Sequence, residues 1–108
     1  MSNEVLNKIV DDIVKNVTPT KVILFGSTAR GEANKDSDLD LLIIEKEKFS
    51  KDRSRRKELQ RIRQLLMGYN VPKDILVYDE EEVESWKDSA NHIIARCLKE
   101  GRTLYEKR

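Results

Sequence analysis

Residues 26–42 read Gly26-Ser27-Thr28-Ala29-Arg30-Gly31-Glu32-Ala33-Asn34-Lys35-Asp36-Ser37-Asp38-Leu39-Asp40-Leu41-Leu42. Two features in this stretch decide how the chain is read. A Gly-Ser pair stands directly after the apolar, β-branched run Val22-Ile23-Leu24-Phe25, which is too short for a helix and reads as a buried strand closed by Gly26. After ten intervening residues beyond Ser27, Asp38 and Asp40 flank Leu39 at the start of a second run, Asp38 to Glu45. Side chains alternate across a strand, so the two carboxylates share one face while Leu39, Leu41 and Ile43 share the other.

Working outward, Ser2 to Val17 carries apolar residues at helical spacing (Val5, Leu6, Ile9, Val10, Ile13, Val14, Val17) and reads as an amphipathic helix. Thr18-Pro19-Thr20 stops it, because Pro lacks the amide hydrogen and pushes its predecessor toward extended geometry. Ala29 to Ala33 allows one short helical turn before the turn-forming Asn34-Lys35-Asp36-Ser37. A long helix is expected from near Ser50 to about Met67, closed by Gly68 to Asn70. Val71 to Tyr78 reads as a third strand, with Pro72 tolerated at its start and Asp74, Leu76 and Tyr78 on one face. Asp79 and Glu82 have capping-box spacing and open a short acidic helix. Ser89 to Glu100 reads as a last helix ending at Gly101, and Leu104-Tyr105 as a short final strand. The order helix, strand, strand, helix, strand, helix, helix, strand implies an α+β fold in which a small mixed β-sheet has helices packed mainly on one face.

The 108 residues suit one domain, taken as 1–108, with a single small core. Lys and Arg number 21 against 20 Asp and Glu, so the net charge of +1 gives no global pull toward nucleic acid or membrane. The lone Cys97 excludes an internal disulfide and, grouped with Ile93, Ile94 and Leu98, reads as core. The absence of a membrane-length apolar run or a signal pattern points to a cytoplasmic protein. With one histidine, His92, neither a zinc cluster nor a Ser-His triad assembles. Between Lys51 and Arg63 seven basic residues oppose Asp52 and Glu58, a run that could draw RNA, an acidic partner or a triphosphate tail, although such runs are usually solvated helix faces. Trp86 reads as ordinary packing, with a partner anchor as the alternative.

The chemistry lies in the opening stretch. A glycine after a strand lets backbone amides approach an anion, and Gly26, Ser27 and Thr28 meet that description. Alone, such a pair is an ordinary strand-to-loop turn. Two carboxylates on one strand face are costly unless a cation joins them, and magnesium is commonly held by one or two carboxylates together with substrate phosphates. Asp74, from another strand, could bridge a second ion or accept a hydroxyl proton. Arg30 either touches phosphate or pairs with Asp36 or Asp38.

The combination of Gly26-Ser27, Asp38-Leu39-Asp40 and the later Asp74, with the fuller matches GSTARG, DSDLDLL and KDILVY, resembles the nucleotidyltransferase superfamily that includes polymerase beta and kanamycin nucleotidyltransferase. Within it the chain is similar to the minimal nucleotidyltransferase branch, whose members are often antitoxins paired with a HEPN-domain toxin. The resemblance implies the nucleotidyltransferase fold and transfer of a nucleoside monophosphate, AMP from ATP, to a hydroxyl. Gly26 and Ser27 would hold the β and γ phosphates. Asp38 and Asp40 would bind two magnesium ions, with manganese as a substitute, and Asp74 would join on the acceptor side. Larger members carry an added helical domain for the acceptor; here a second polypeptide or second copy is expected to supply that side. The HEPN partner, receiving AMP on a tyrosine, is the candidate. The competing readings are a non-catalytic antitoxin that occludes its partner and, from the basic helix, an RNA-binding accessory subunit.

Overall fold

The computed structural model describes residues 3–26 and 39–108. Ser27, Thr28, Arg30 and Asp38, the turn at 29–33 and the loop at 34–37 lie outside the described residues, as does the first residue of the expected N-terminal helix.

The described elements follow the expected order: α1 (Asn3–Val17), β1 (Lys21–Phe25), β2 (Leu39–Glu45), α2 (Arg55–Leu65), β3 (Lys73–Asp79), α3 (Glu80–Trp86), α4 (Ile93–Glu100) and β4 (Arg102–Glu106). The four strands form one sheet in the order β3-β2-β1-β4. β1 is antiparallel to both β2 and β4, whereas β2 and β3 run parallel, so the sheet is mixed. The parallel pair needs a crossover, and α2 supplies it.

The period-2 pattern of the strands sorts the sheet into two faces. Leu39, Leu41 and Ile43 of β2 join Val22, Leu24, Ile75 and Val77 in the larger core, beneath the buried stripe of α1 (Leu6, Ile9, Val10, Ile13, Val17) and Ile62 and Leu66 of the α2 region. Each fully buried aliphatic side chain there contributes roughly 1.5–3 kcal/mol relative to exposure. The opposite face is smaller: Ile23, Leu42, Ile44 and Cys97 are buried, with Leu76, Tyr78, Val83 and Ile93 packed against them. Helices thus concentrate most core on one face, as the sequence implies, but the short α3 and α4 cover the other. That cover matters, because the second face carries Asp40 and Asp74.

Several boundaries move, each for a local reason. Thr18 takes φ 51 rather than extended geometry and donates its hydroxyl hydrogen to the Val17 carbonyl at 2.7 Å, terminating α1 by a left-handed turn. α2 starts at Arg55 rather than near Ser50. Ser50 and Arg53 pair as an isolated bridge, and the Ser54 hydroxyl caps the helix by accepting from the Lys57 amide. β3 starts two residues later than Val71. α4 starts at Ile93 rather than Ser89, because the His92 amide closes a turn on the Ser89 carbonyl and the His92 ring caps the helix. The capping box at α3 is present as read: Asp79 accepts from the Glu82 amide at 2.7 Å, and Glu82 accepts from the Asp79 amide at 3.0 Å. The final strand is longer than Leu104-Tyr105, with a bulge opposite Val22 and Ile23 that blunts this sheet edge.

Candidate active site

The site is built where β1 ends and β2 and β3 begin. β1 and β2 are paired so that Phe25 stands opposite Asp40, and the parallel β2–β3 register puts Asp40 directly beside Asp74. Neighbouring strands lie about 5 Å apart, so the two carboxylates occupy adjacent places on the same face. Asp40 is half-buried, whereas Asp74 is exposed. Among the described residues the Asp74 carboxylate makes no hydrogen bond or ion pair, and the ammonium of its neighbour Lys73 donates instead to the Tyr69 and Val71 carbonyls, both at 2.8 Å.

Gly26 closes the third side. Its φ of 74° lies in the left-handed region, and a Cβ added there would stand 2.2 Å from Asp40 Oδ2. Only glycine therefore meets both demands: the backbone turn out of β1 and the close approach of a carboxylate. The physical result is an acid, a second acid in register with it, and a bare backbone segment at one end of the sheet.

Like charges this close are unfavourable unless a cation or a donor compensates them. The chemistry of the two carboxylates suits a small hard cation such as magnesium. Among the described residues no group of three or more His, Cys, Asp or Glu side chains is placed to hold a metal ion, so Asp40 and Asp74 form a two-carboxylate set to which Asp38, outside those residues, would be the addition.

α4 borders the same end. Phe25, Gly26, Ile93, Arg96, Cys97 and Glu100 line a cleft of about 170 Å³. Burial pushes the Cys97 thiol up to about 11, which keeps it protonated and inert and agrees with its reading as a core residue. Arg96 had no role in the sequence reading. The signal was present: Ile93, Arg96, Cys97 and Glu100 fall at i, i+3, i+4 and i+7, one helical stripe, so a residue beside the buried Cys97 also faces the sheet end.

Several other residues singled out by sequence make structural contacts. The His92 ring accepts the Ile94 amide and stacks on Trp86 with centroids 4.3 Å apart, leaving Trp86 45% exposed. In the basic run, Arg53 pairs with Glu45, Glu47 and Glu58, Arg55 with Glu82, and Arg61 with Glu58. Arg55 also lies over the Phe49 and Tyr78 rings. These cations tie α2 to the sheet and to α3. No helix among the described residues is long and apolar enough to cross a membrane.

Comparisons with known proteins agree with this geometry. A Methanocaldococcus jannaschii protein assigned by name as a protein adenylyltransferase, MJ0604, is 34% identical over 79% of this chain and 77% of its own length. A second from the same organism, MJ0141, is 42% identical over 53% of this chain and 52% of its own length, so the chain spans about half of that relative. Among solved structures, a Sulfolobus solfataricus protein assigned as a nucleotidyltransferase superposes with TM-score 0.65 at 20% identity, covering 96% of this chain and 79% of the other. A chain from a toxin–antitoxin complex with AMP-PNP gives TM-score 0.62 at 20% identity, covering 99% and 76%. At these identities the superpositions establish the fold. The family model described as a nucleotidyltransferase domain matches residues 5–100, and the chain belongs to that family of nucleotidyltransferases.

Proposed function

We propose that this nucleotidyltransferase transfers AMP from ATP to a hydroxyl of a partner protein, a tyrosine of a HEPN-type toxin, and acts as the antitoxin of the pair. The observation that carries this reading is the register of Asp40 with Asp74 beside the bare backbone of Gly26. A carboxylate pair held side by side with no cation on Asp74 among the described residues is a poor structural element and a good receptor for a hydrated divalent ion and a polyphosphate. The adenylyltransferase names of the relatives and the toxin–antitoxin context of one fold neighbour support the choice of nucleotide and partner.

In this reading Gly26, Ser27 and Thr28 hold the triphosphate through backbone amides and hydroxyls, with Arg30 beside them. Asp38, Asp40 and Asp74 would hold two magnesium ions, manganese serving in their place. When bound, these ions neutralise charge on the phosphates and on the leaving pyrophosphate. Asp40, set against Gly26, fixes the donor end relative to the strand face, and Asp74 takes the solvent-facing side where an acceptor can approach. The acceptor hydroxyl oxygen forms a bond to the α-phosphorus, the bond to the β-phosphate bridging oxygen breaks, and pyrophosphate leaves. The hydroxyl proton passes to the Asp74 carboxylate. Catalysis is then positioning plus electrostatic compensation, with no covalent intermediate on the protein.

The test is to incubate the chain with α-labelled ATP, magnesium and the protein encoded beside it. Label on the partner that requires Asp40 and Asp74 is the expected result. Neutralisation of the partner by Asp40→Asn with no label at any point would replace this reading with occlusion.

A further inference from the structure

We infer that Arg96 is part of the nucleotide site, where it grips the outer phosphates of the triphosphate donor. This rests on the proposed donor reading of Gly26 and deepens it. Three observations carry the assignment. Arg96 lines the same small cleft as Phe25 and Gly26, the last residues before the segment that reads as a phosphate loop. Among the described residues its guanidinium makes no hydrogen bond or ion pair, although Glu100 stands one helical turn away in the same cleft. The helix that carries Arg96 is anchored beside this cleft by the buried Ile94 and Cys97.

The chemistry follows from the contrast with the arginines around α2 that face carboxylates. Arg53, Arg55 and Arg61 are each spent on carboxylates of this chain. Arg96 is exposed, uncommitted and anchored on a helix whose neighbours Ile94 and Cys97 are buried, so its backbone position is fixed while its planar fork is free to meet an anion. A triphosphate carries more charge than the backbone amides of one turn can neutralise, and Arg96 lines the cleft at Gly26. A monophosphate, with its single phosphate at the Asp40 end, has no group to reach it.

The experiment compares binding of ATP, AMP and inorganic pyrophosphate to the intact chain and to Arg96→Ala, Arg96→Lys and Lys99→Ala, by calorimetry with magnesium. Arg96 is exposed on a helix and Ala is a strong helix former, so the variant keeps its fold, checked by circular dichroism. Loss of one charged contact predicts roughly tenfold weaker ATP and pyrophosphate binding for Arg96→Ala, unchanged AMP binding, and partial retention in Arg96→Lys. Lys99→Ala, a nearby cation outside the Gly26 cleft, should bind like wild type. Equal weakening of AMP, or equal weakening by Lys99→Ala, would overturn the assignment. Wild-type chain that binds ATP as tightly as Arg96→Ala overturns this inference alone. Wild-type chain that binds no triphosphate removes the donor reading as well.

Discussion

The same two strands carry acids in register at both ends, and the ends treat them oppositely. At one end Asp40 neighbours Asp74; at the other Glu45 neighbours Asp79. The far pair is buried and answered from within. Asp79 accepts the Glu82 and Phe49 amides at 2.7 and 2.9 Å, and Glu45 pairs with Arg53 while abutting Glu58. Burial, reinforced by the Glu58 charge, pushes the Glu45 carboxyl up to about 7 against the pull of Arg53. Glu58 shifts the opposite way: burial would raise it, but Glu45, Arg61 and Arg53 outweigh that and lower it. Glu45 is therefore the member of this cluster that takes a proton more readily, and its Oε2 has no hydrogen-bond partner among the described residues. At the near end Asp74 faces solvent with no partner among those residues, and Arg53, Arg55 and Arg61 are engaged elsewhere. The far acids find most of their partners within the chain, whereas Asp74 has none among the described residues, the arrangement expected where compensation comes from outside.

The largest effect that tests this contrast is Asp40→Asn. Transfer activity should fall by roughly a thousandfold, as for loss of a group that organises transition-state charge. Thermal stability should be unchanged or raised, because a like-charge neighbour of Asp74 is removed. A variant that loses activity by unfolding, seen by circular dichroism, would break the contrast.

At the other end Arg53→Ala should destabilise the fold by about 3 kcal/mol, since among the described residues Arg53 is the one ion-pair partner of buried Glu45 and shares Glu58 with Arg61. Denaturant titration measures this, and a change within a few tenths of a kcal/mol would show that the cluster is solvated. Gly26→Ala should cost about 2 kcal/mol through its positive φ and the approach to Asp40 Oδ2. Any folded Gly26→Ala protein should also lose nucleotide binding, read by the same calorimetry.

The smallest expected effect is on pH dependence. Glu45 has a folded value above its ordinary one, so its stabilising contribution is complete below about 4.5 and is lost as pH rises through about 7. Glu58, lowered, contributes in the opposite direction, but its component is lost only as pH falls below about 4.5 and lies outside this window. Glu45→Gln removes the first component, so its stability should fall less than wild type between pH 5.5 and 8, by on the order of 1 kcal/mol. Parallel curves for the two proteins would mean that Glu45 titrates normally.

Much of this was legible in the residues themselves. The stripe of α1, the alternation of Leu39, Leu41 and Ile43, and the Asp79–Glu82 capping box are short-range patterns, each set by contacts within a few positions of the chain. Helix starts were less legible. Ser50 and Ser89 are as good a cap by composition as Ser54 and His92, and the choice went to the residue whose neighbours were not already folded back, as Arg53 is onto Glu45 and Glu47. The sevenfold basic run could not be assigned from sequence, because its partners Glu45 and Glu82 lie on other elements.

The sequence by itself determined the element order, which face of each strand is apolar, and that Asp40 and Asp74 each lie on the other, because periods of 2 and 3.6 are imposed by backbone geometry alone. Only the tertiary structure decided that Asp40 and Asp74 are neighbours in register, that Gly26 stands against Asp40, and that Arg96 shares a cleft with Gly26. Those facts depend on how strands slide and helices dock, which side-chain packing across the whole core selects and no local pattern encodes.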